Sequence, residues 1–343
     1  MRAFVLTEAG SAPTVAQLEV PEPDEGEVRV RVHAASLNGF DLAVAAGYLR
    51  GMMEHRYPVV LGKDFAGVVD AVGAGVTGYA PGDRVFGVVV KPYLGDGSFG
   101  EYVVVPVAVG LAKLPASVGF PEGAALGLAG TAALAAVDAA QLQPGQVVLV
   151  AGATGGVGTQ VVQVAAKAGA RVIATAHTDQ ERVLVTGLGA SDVIDYTQDV
   201  VAQVRTIAAG GVDAVVHLAG DAASLLPVVR PGGRFVSTLL GTPDQLPAEN
   251  LTVVPVAANP APATLDRLAR HQAEGTTRVV VQKIYALDAT PHAAVSNSRR
   301  NHRPRRLLPD RHPGAKAPEV TQSAGQRLVG QHRLYSKKLF QVS

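Results

Sequence analysis

The stretch VVLVAGATGGVGTQVVQVAAKAGARVIAT, residues 147–175, decides the fold. An apolar run ends at Ala151 and the chain turns through Gly152-Ala153-Thr154-Gly155-Gly156-Val157-Gly158. An alanine- and valine-rich segment then runs with helical period to Ala168, and a second apolar run follows. A strand, a glycine-rich turn and a helix in that order suit a pyrophosphate. The first helical N–H groups have no partners within the helix and carry partial positive charge, and glycines let the backbone approach phosphate oxygens. In this reading Gly155 serves close approach and Gly158 close helix packing, while Ala153 stands where the dinucleotide fingerprint has its first glycine. The alternative is a merely structural turn. The second strand, arriving at the expected distance, favours dinucleotide binding.

Downstream the alternation continues: DVIDY, a helix over 201–209, DAVVHLAG, a short helix and RFVSTL. Near-continuous apolar strands alternating with helices predict a Rossmann-type, doubly wound parallel sheet over residues 122–256. Upstream, β-like runs at 2–7, 27–35, 67–72, 84–90 and 101–106 are separated by Gly, Pro and Asp clusters, which predicts a mostly antiparallel unit. Residues 38–47 read as a loop or short helix. After Asn259-Pro260-Ala261-Pro262, residues 263–275 read as helix and 278–285 as strand.

A length of 343 residues accommodates two packed units. The absence of cysteine excludes disulfides, thiolate metal sites and a cysteine nucleophile. No secretory h-region is visible at the start, and the apolar tract 123–137 falls short of a membrane span and reads as buried helix. A cytoplasmic protein without a membrane partner is expected. Net charge is +1 but unevenly spread, with 11 Lys and Arg against 2 Asp and Glu after residue 290, so the body is acidic and the tail basic.

The end of the second strand bears on the cofactor. NAD sites usually carry an acid there for the ribose 2′-hydroxyl. Here the neighbourhood is Thr175-Ala176-His177-Thr178, and Asp179 reads as an N-terminal helix residue. With no strand-end acid to repel a 2′-phosphate, and with His177 and Arg182 nearby, NADPH is expected over NADH. Leu218-Ala219-Gly220 and Ser237-Thr238-Leu239 follow strand ends, where open α/β sheets bind ligands.

Several ordered motifs together resemble the zinc-independent quinone oxidoreductase branch of the medium-chain dehydrogenase/reductase family, zeta-crystallin-like proteins included. They are VRVRVHAASLNGFD (28–41), PVVLGKDFAGVV (58–69), PGDRVFG (81–87), GSFGEYVVVP (97–106), LAGTAALAAVDAAQLQPG (128–145), AGATGGVG (151–158) and VRPGGRFVS (229–237). The resemblance covers about residues 1–292. It implies a GroES-like catalytic domain from 1–121 with 257–292, a Rossmann domain from 122–256, and hydride transfer from NADPH to a quinone or α,β-unsaturated carbonyl. It also implies a homodimer. Zinc-dependent relatives have Gly-His-Glu where this sequence has Gly62-Lys63-Asp64, so no zinc is expected.

By the same resemblance Asn38, Asp41 and Tyr48 lie on the cleft loop as catalytic candidates, Asn38 foremost, with loop capping and packing as the alternative for all three. Thr131 matches a cofactor-contacting threonine at a helix start, where an N-cap would look the same. Tyr196 matches a position flanking the adenosine phosphate, or is a half-buried strand end. At the place of the family's 2′-phosphate lysine stands Glu181, beside Arg182. His33 and His55 read as structural.

The family's closing helix and last strand are not recognisable after His292. Residues 293–343 are basic and without period, which points to an out-of-frame ending, to disorder and to an exposed β edge. Two further readings remain open: a cofactor-binding protein without turnover, and electrostatic nucleic-acid binding by the tail, which lacks aromatic interleaving.

Overall fold

The computed structural model describes residues 1–287 and the backbone of 338–341. The first part of the chain is β-rich: β1 (Arg2–Leu6), β2 (Thr14–Gln17), β3 (Glu27–Leu37), β4 (Glu54–His55), β5 (Val59–Val60), β6 (Asp64–Val72), β7 (Arg84–Val88), β8 (Tyr93–Leu94), β9 (Tyr102–Pro106) and β10 (Leu111–Lys113), with one short helix, α1 (Gly39–Ala45), after β3. β3 is the organising strand and pairs antiparallel with both β6 and β9. Its inward side chains Val28, Val30 and Val32 alternate with partly or fully exposed Arg29, Arg31 and His33, the period of a half-buried strand.

The transition to the second layer is α2 (Phe120–Ala140), which starts with Pro121 in its first turn and stops at Gln141 in the left-handed region. By length and composition α2 is apolar enough to cross a membrane, but 78% of its most apolar window is buried inside the protein. It packs on β3, β6 and β7 on one side and on the nucleotide-binding unit on the other.

That unit comprises β11 (Val147–Ala151), α3 (Gly156–Lys167), β12 (Arg171–Thr175), α4 (Asp179–Gly187), β13 (Asp192–Ile194), α5 (Val200–Ile207), β14 (Val212–His217), a 3-10 turn, β15 (Val229–Ser237) and β16 (Thr252–Pro255). Its strands form one parallel sheet in the order β13-β12-β11-β14-β15-β16. The chain thus runs outward from β11 in one direction and then, from β14, in the other, so a topological switch lies beside the end of β11. Leu149, Ile173 and Phe235 are fully buried between the sheet and its helices. The fold is α/β, a doubly wound parallel sheet joined to an antiparallel β unit, as the sequence predicts.

Three expectations are corrected. The strand expected over 278–285 begins only at β17 (Lys283–Ala286), after α6 (Pro262–Ala273). Arg278 is instead held on α3, its N–H donating to Gln163 Oε1 at 2.8 Å and its carbonyl accepting from Gln160 and Gln163. Those bonds occupy the backbone groups a ladder would need. Thr131 does not start a helix: α2 begins eleven residues earlier. Finally, β18 (Lys338–Gln341) lies antiparallel to β3 and parallel to β17, so a closing strand exists. The physical reason is the ladder of β3, whose residues 34–37 find backbone partners there in place of the expected open edge. The readings of residues 293–337 as disordered, out of frame or nucleic-acid binding lie outside the described residues.

Candidate dinucleotide and active site

The glycine-rich turn sits at the switch. Gly152, at φ +92°, leaves β11 in a conformation that favours glycine, and a Cβ there would lie 3.0 Å from Ala219 Cβ. Its N–H donates to Thr175 Oγ1 at 2.9 Å, tying the turn to the end of β12. Gly155 is the N-cap of α3. Gly158 is the close-packing glycine: a Cβ there would meet the Gly152 carbonyl oxygen at 2.1 Å and Ala153 Cα at 2.7 Å. Ala153 is fully buried, and Val157 packs at the margin of the same core. Thr154 is 6% exposed, and its buried Oγ1 has no hydrogen-bond partner. A buried hydroxyl left unsatisfied costs about 1–3 kcal/mol, so an acceptor or donor arriving at this turn is favoured.

Beside the turn, Ala151, Gly152, Thr175, Tyr196, Ala219, Gly220, Asp221 and Ser224 line one cleft across the ends of β11, β12 and β14. The structure therefore brings Gly152, Thr175, Tyr196 and Ala219 together. Leu218 hydrogen-bonds back to Ala151 and packs on the core. Ser237 and Leu239 belong to a different arrangement. Ser237 is fully buried, its Oγ accepts from Leu239 N–H at 3.0 Å and pairs with His217 Nδ1 at 2.9 Å, so its hydroxyl is spent internally. His217, which the sequence reading passed over, is fully buried at the end of β14, and burial pushes its pKa down.

Around the second-strand end the polar groups are already paired. Glu181 closes a capping box with Thr178 at the start of α4, and its carboxylate also accepts from His177 N–H at 2.8 Å. The His177 ring meets Asp195 at 3.1 Å. Two hydrogen bonds from Thr197, reinforced by His177, hold the Asp195 carboxyl down to about 2. Arg182 is half-buried on α4 and forms no ion pair with the described residues. Replacing Thr178 with alanine is expected to cost about 1 kcal/mol of stability by removing the cap, read as a lower Tm with α4 helicity reduced.

The catalytic candidates split in two. Asn38 is the N-cap of α1 and forms a capping box with Asp41, whose Oδ2 accepts from Asn38 N–H at 2.7 Å. Asn38 Nδ2 donates to Asp64 Oδ2 at 2.9 Å and to Ser36 O at 3.3 Å. Both amide hydrogens are therefore engaged, and the side chain is left as an acceptor. Asp41 is 2% exposed; its pKa is pushed up to about 8, by burial first and by the neighbouring Asp64 carboxylate. Burial thus favours its neutral form. Burial also lowers the pKa of Lys63, whose Nζ donates to Val89 O at 2.7 Å. Tyr48 is 58% exposed, just beyond α1, and its hydroxyl has no hydrogen-bond partner among the described residues. Thr131 is fully buried inside α2, its hydroxyl donating to the Gly127 and Leu128 carbonyls at 3.0 Å, the back-bond typical of a threonine within a helix.

Sequence reasoning missed Asp64, Lys63 and His217. The substitution of Lys63-Asp64 for His-Glu was the one available signal, since it put a cation and an acid at the start of β6. Among the described residues no group of three His, Asp or Glu side chains is arranged to hold a metal ion.

Comparison with known proteins agrees with this architecture. Residues 24–116 match the alcohol dehydrogenase GroES-like domain and residues 156–258 the domain described as zinc-binding dehydrogenase. The chain is 36% identical over 209 residues to the chloroplast envelope quinone oxidoreductase homolog of Arabidopsis thaliana, covering 59% of this chain and 62% of that protein. It is 38% identical over 219 residues to a mycocerosic acid synthase-like polyketide synthase of Mycolicibacterium smegmatis, covering 62% of this chain but 10% of that much longer protein. A crystal structure of an NAD-dependent alcohol dehydrogenase superposes with a TM-score of 0.80 at 29% identity, covering 100% of both chains. With the two domain types in this order on this fold, the chain belongs to the medium-chain dehydrogenase/reductase family.

Proposed function

We propose that the chain is a zinc-free oxidoreductase that uses NADPH to reduce a quinone or an α,β-unsaturated carbonyl. The observation that carries this reading is the turn at Gly152–Gly158, where a buried, unpartnered Thr154 hydroxyl and a glycine that admits no Cβ adjoin a helix N-terminus at the switch of the parallel sheet. These residues fit a dinucleotide pyrophosphate. Tyr196 and Ala219, which line the adjoining cleft, would hold its adenosine end. When bound, the reduced nicotinamide supplies the hydride.

The remaining chemistry falls to side chains of this chain. The donor set does not suit zinc, because Lys63 is a cation bonded to Val89 O and the sequence contains no cysteine. Carbonyl polarisation is therefore by hydrogen bonding. Asn38 has spent its donors on Asp64 and Ser36, so we assign donation to Tyr48 or to water, with neutral Asp41 as the nearby proton store. The reading includes a division into a catalytic domain of residues 1–121 with 257–292 and a nucleotide domain of 122–256. It also includes a homodimer, a cytoplasmic location and no nucleic-acid partner.

For the cofactor, NADPH is supported by the lack of an acidic residue in Thr175-Ala176-His177-Thr178, by the engagement of the nearby Glu181 and Asp195 carboxylates with His177, and by Arg182, a cation without an ion-pair partner among the described residues. Arg182→Ala is expected to lower the ratio of kcat/KM for NADPH over NADH by about tenfold. An unchanged ratio removes Arg182 from 2′-phosphate recognition. A second reading, cofactor binding without turnover, is favoured by the internal pairing of Asn38 and Ser237; NADPH binding with no oxidation across a panel of quinones and enones selects it.

A further inference from the structure

Asp64 is fully buried, yet nothing in the proposed hydride transfer uses it directly. Its carboxylate joins three pieces of chain. Oδ1 accepts from the Leu128 N–H of α2 at 2.7 Å, and Oδ2 accepts from Ser36 Oγ of β3 at 2.6 Å and from Asn38 Nδ2 at the head of α1 at 2.9 Å. On α2 room for the carboxylate comes from a missing side chain: a Cβ on Gly127 would lie 2.5 Å from Asp64 Oδ1. The carboxylate therefore ties the loop that carries Asn38 to the long helix that passes into the nucleotide-binding unit.

This arrangement also determines which way the Asn38 amide faces. A carboxylate and a carbonyl can only accept, so the Asn38 NH2 must point to Asp64 and Ser36 O, and the opposite amide orientation would set oxygen against oxygen. The Asn38 oxygen faces the other way, toward the first turn of α1, and stays available as an acceptor.

We propose that Asp64 is a positioning residue for the cleft: through its bonds to Leu128, Ser36 and Asn38 it fixes the α1 loop relative to α2 and holds Asn38 as a hydrogen-bond acceptor toward the bound cofactor and substrate. This rests on the reductase reading above. A group held this way gains rate by pre-set geometry, and an error of about 1 Å in such a constellation costs about 100-fold.

Two variants test it. In Asp64→Asn the new amide keeps its oxygen on Leu128 N–H and sets its NH2 against that of Asn38, so Asn38 must turn over. Gly127→Ala keeps the Asp64 charge but displaces the carboxylate. Both are expected to lower kcat about 10- to 100-fold, with KM for NADPH changed by less than about threefold, at temperatures where circular dichroism shows both folded. Hydrogen exchange of the Asn38 side-chain NH2, followed by NMR in the full-length protein, needs no turnover: slow exchange is expected in the wild type, and exchange faster by about tenfold or more in Asp64→Asn. Unchanged exchange, or released NH2 with an unchanged kcat, overturns the proposal. If the wild type reduces neither quinones nor enones, the reductase reading fails separately. The positioning role is then judged by the fluorescence spectrum of bound NADPH together with the exchange: a changed spectrum with released NH2 supports it, and an unchanged spectrum overturns it.

Discussion

Gly158→Ala is expected to weaken NADPH binding by about 100-fold, close to 3 kcal/mol, and to lower Tm by several degrees. The added methyl would sit 2.1 Å from the Gly152 carbonyl oxygen and 2.7 Å from Ala153 Cα. Both are backbone atoms of a turn that Thr175 ties to the neighbouring strand, so no flexible side chain can yield. Helix α3 must move away, and its free N–H groups move with it. Gly210→Ala is the control, since nothing lies within 4 Å of a Cβ at that position. Equal affinity in wild type, Gly158→Ala and Gly210→Ala, measured by titration calorimetry, removes the turn from cofactor binding.

Asp41 gives the second large effect, on stability. Its folded pKa of about 8 lies above the usual carboxylate value, chiefly through burial, then through Asp64, with the Asn38 hydrogen bonds and Lys63 acting the other way. Between the unfolded and folded values the native state holds the proton and the unfolded state does not, so stability falls as pH rises from about 4 to about 8. At roughly 1.4 kcal/mol per pH unit, this single group costs on the order of 4 kcal/mol between pH 5 and 8. Asp41→Asn keeps an oxygen for the Asn38 N–H and removes the titration. The buried His217 and the half-buried His33 and His271, whose pKa values are lowered, act in the opposite sense near pH 6 but are common to both proteins. The difference in urea unfolding free energy, variant minus wild type, is therefore expected to grow by about 4 kcal/mol from pH 5 to pH 8. A pH-independent difference means that Asp41 stays ionised in the folded protein.

The parallel sheet was legible because its strands are short apolar runs broken by polar helix starts. The expected run to Ala168 ends as α3 at Lys167, and the run after Gly169 is β12, Arg171–Thr175. The turn glycines were legible for the same reason, since their spacing is local. Thr131 was misplaced because alanine-rich sequence carries no mark of where α2 starts; Pro121 was the available signal. The segment at 278 has strand-like composition, and only the long-range bonds to Gln160 and Gln163 divert it. The network at Asp64 was out of reach in a different way. It joins positions 36, 38 and 128 to the carboxylate of residue 64, and no periodicity within one segment reveals that three groups from separate elements converge there.

The most direct test of the central claim is turnover by the purified full-length chain, followed as loss of reduced-nicotinamide absorbance with NADPH and then NADH against a simple quinone and a simple enone. Oxidation dependent on the acceptor, faster with NADPH and lost in Gly158→Ala, is the expected result. No oxidation with either cofactor and either acceptor by protein that binds NADPH contradicts it.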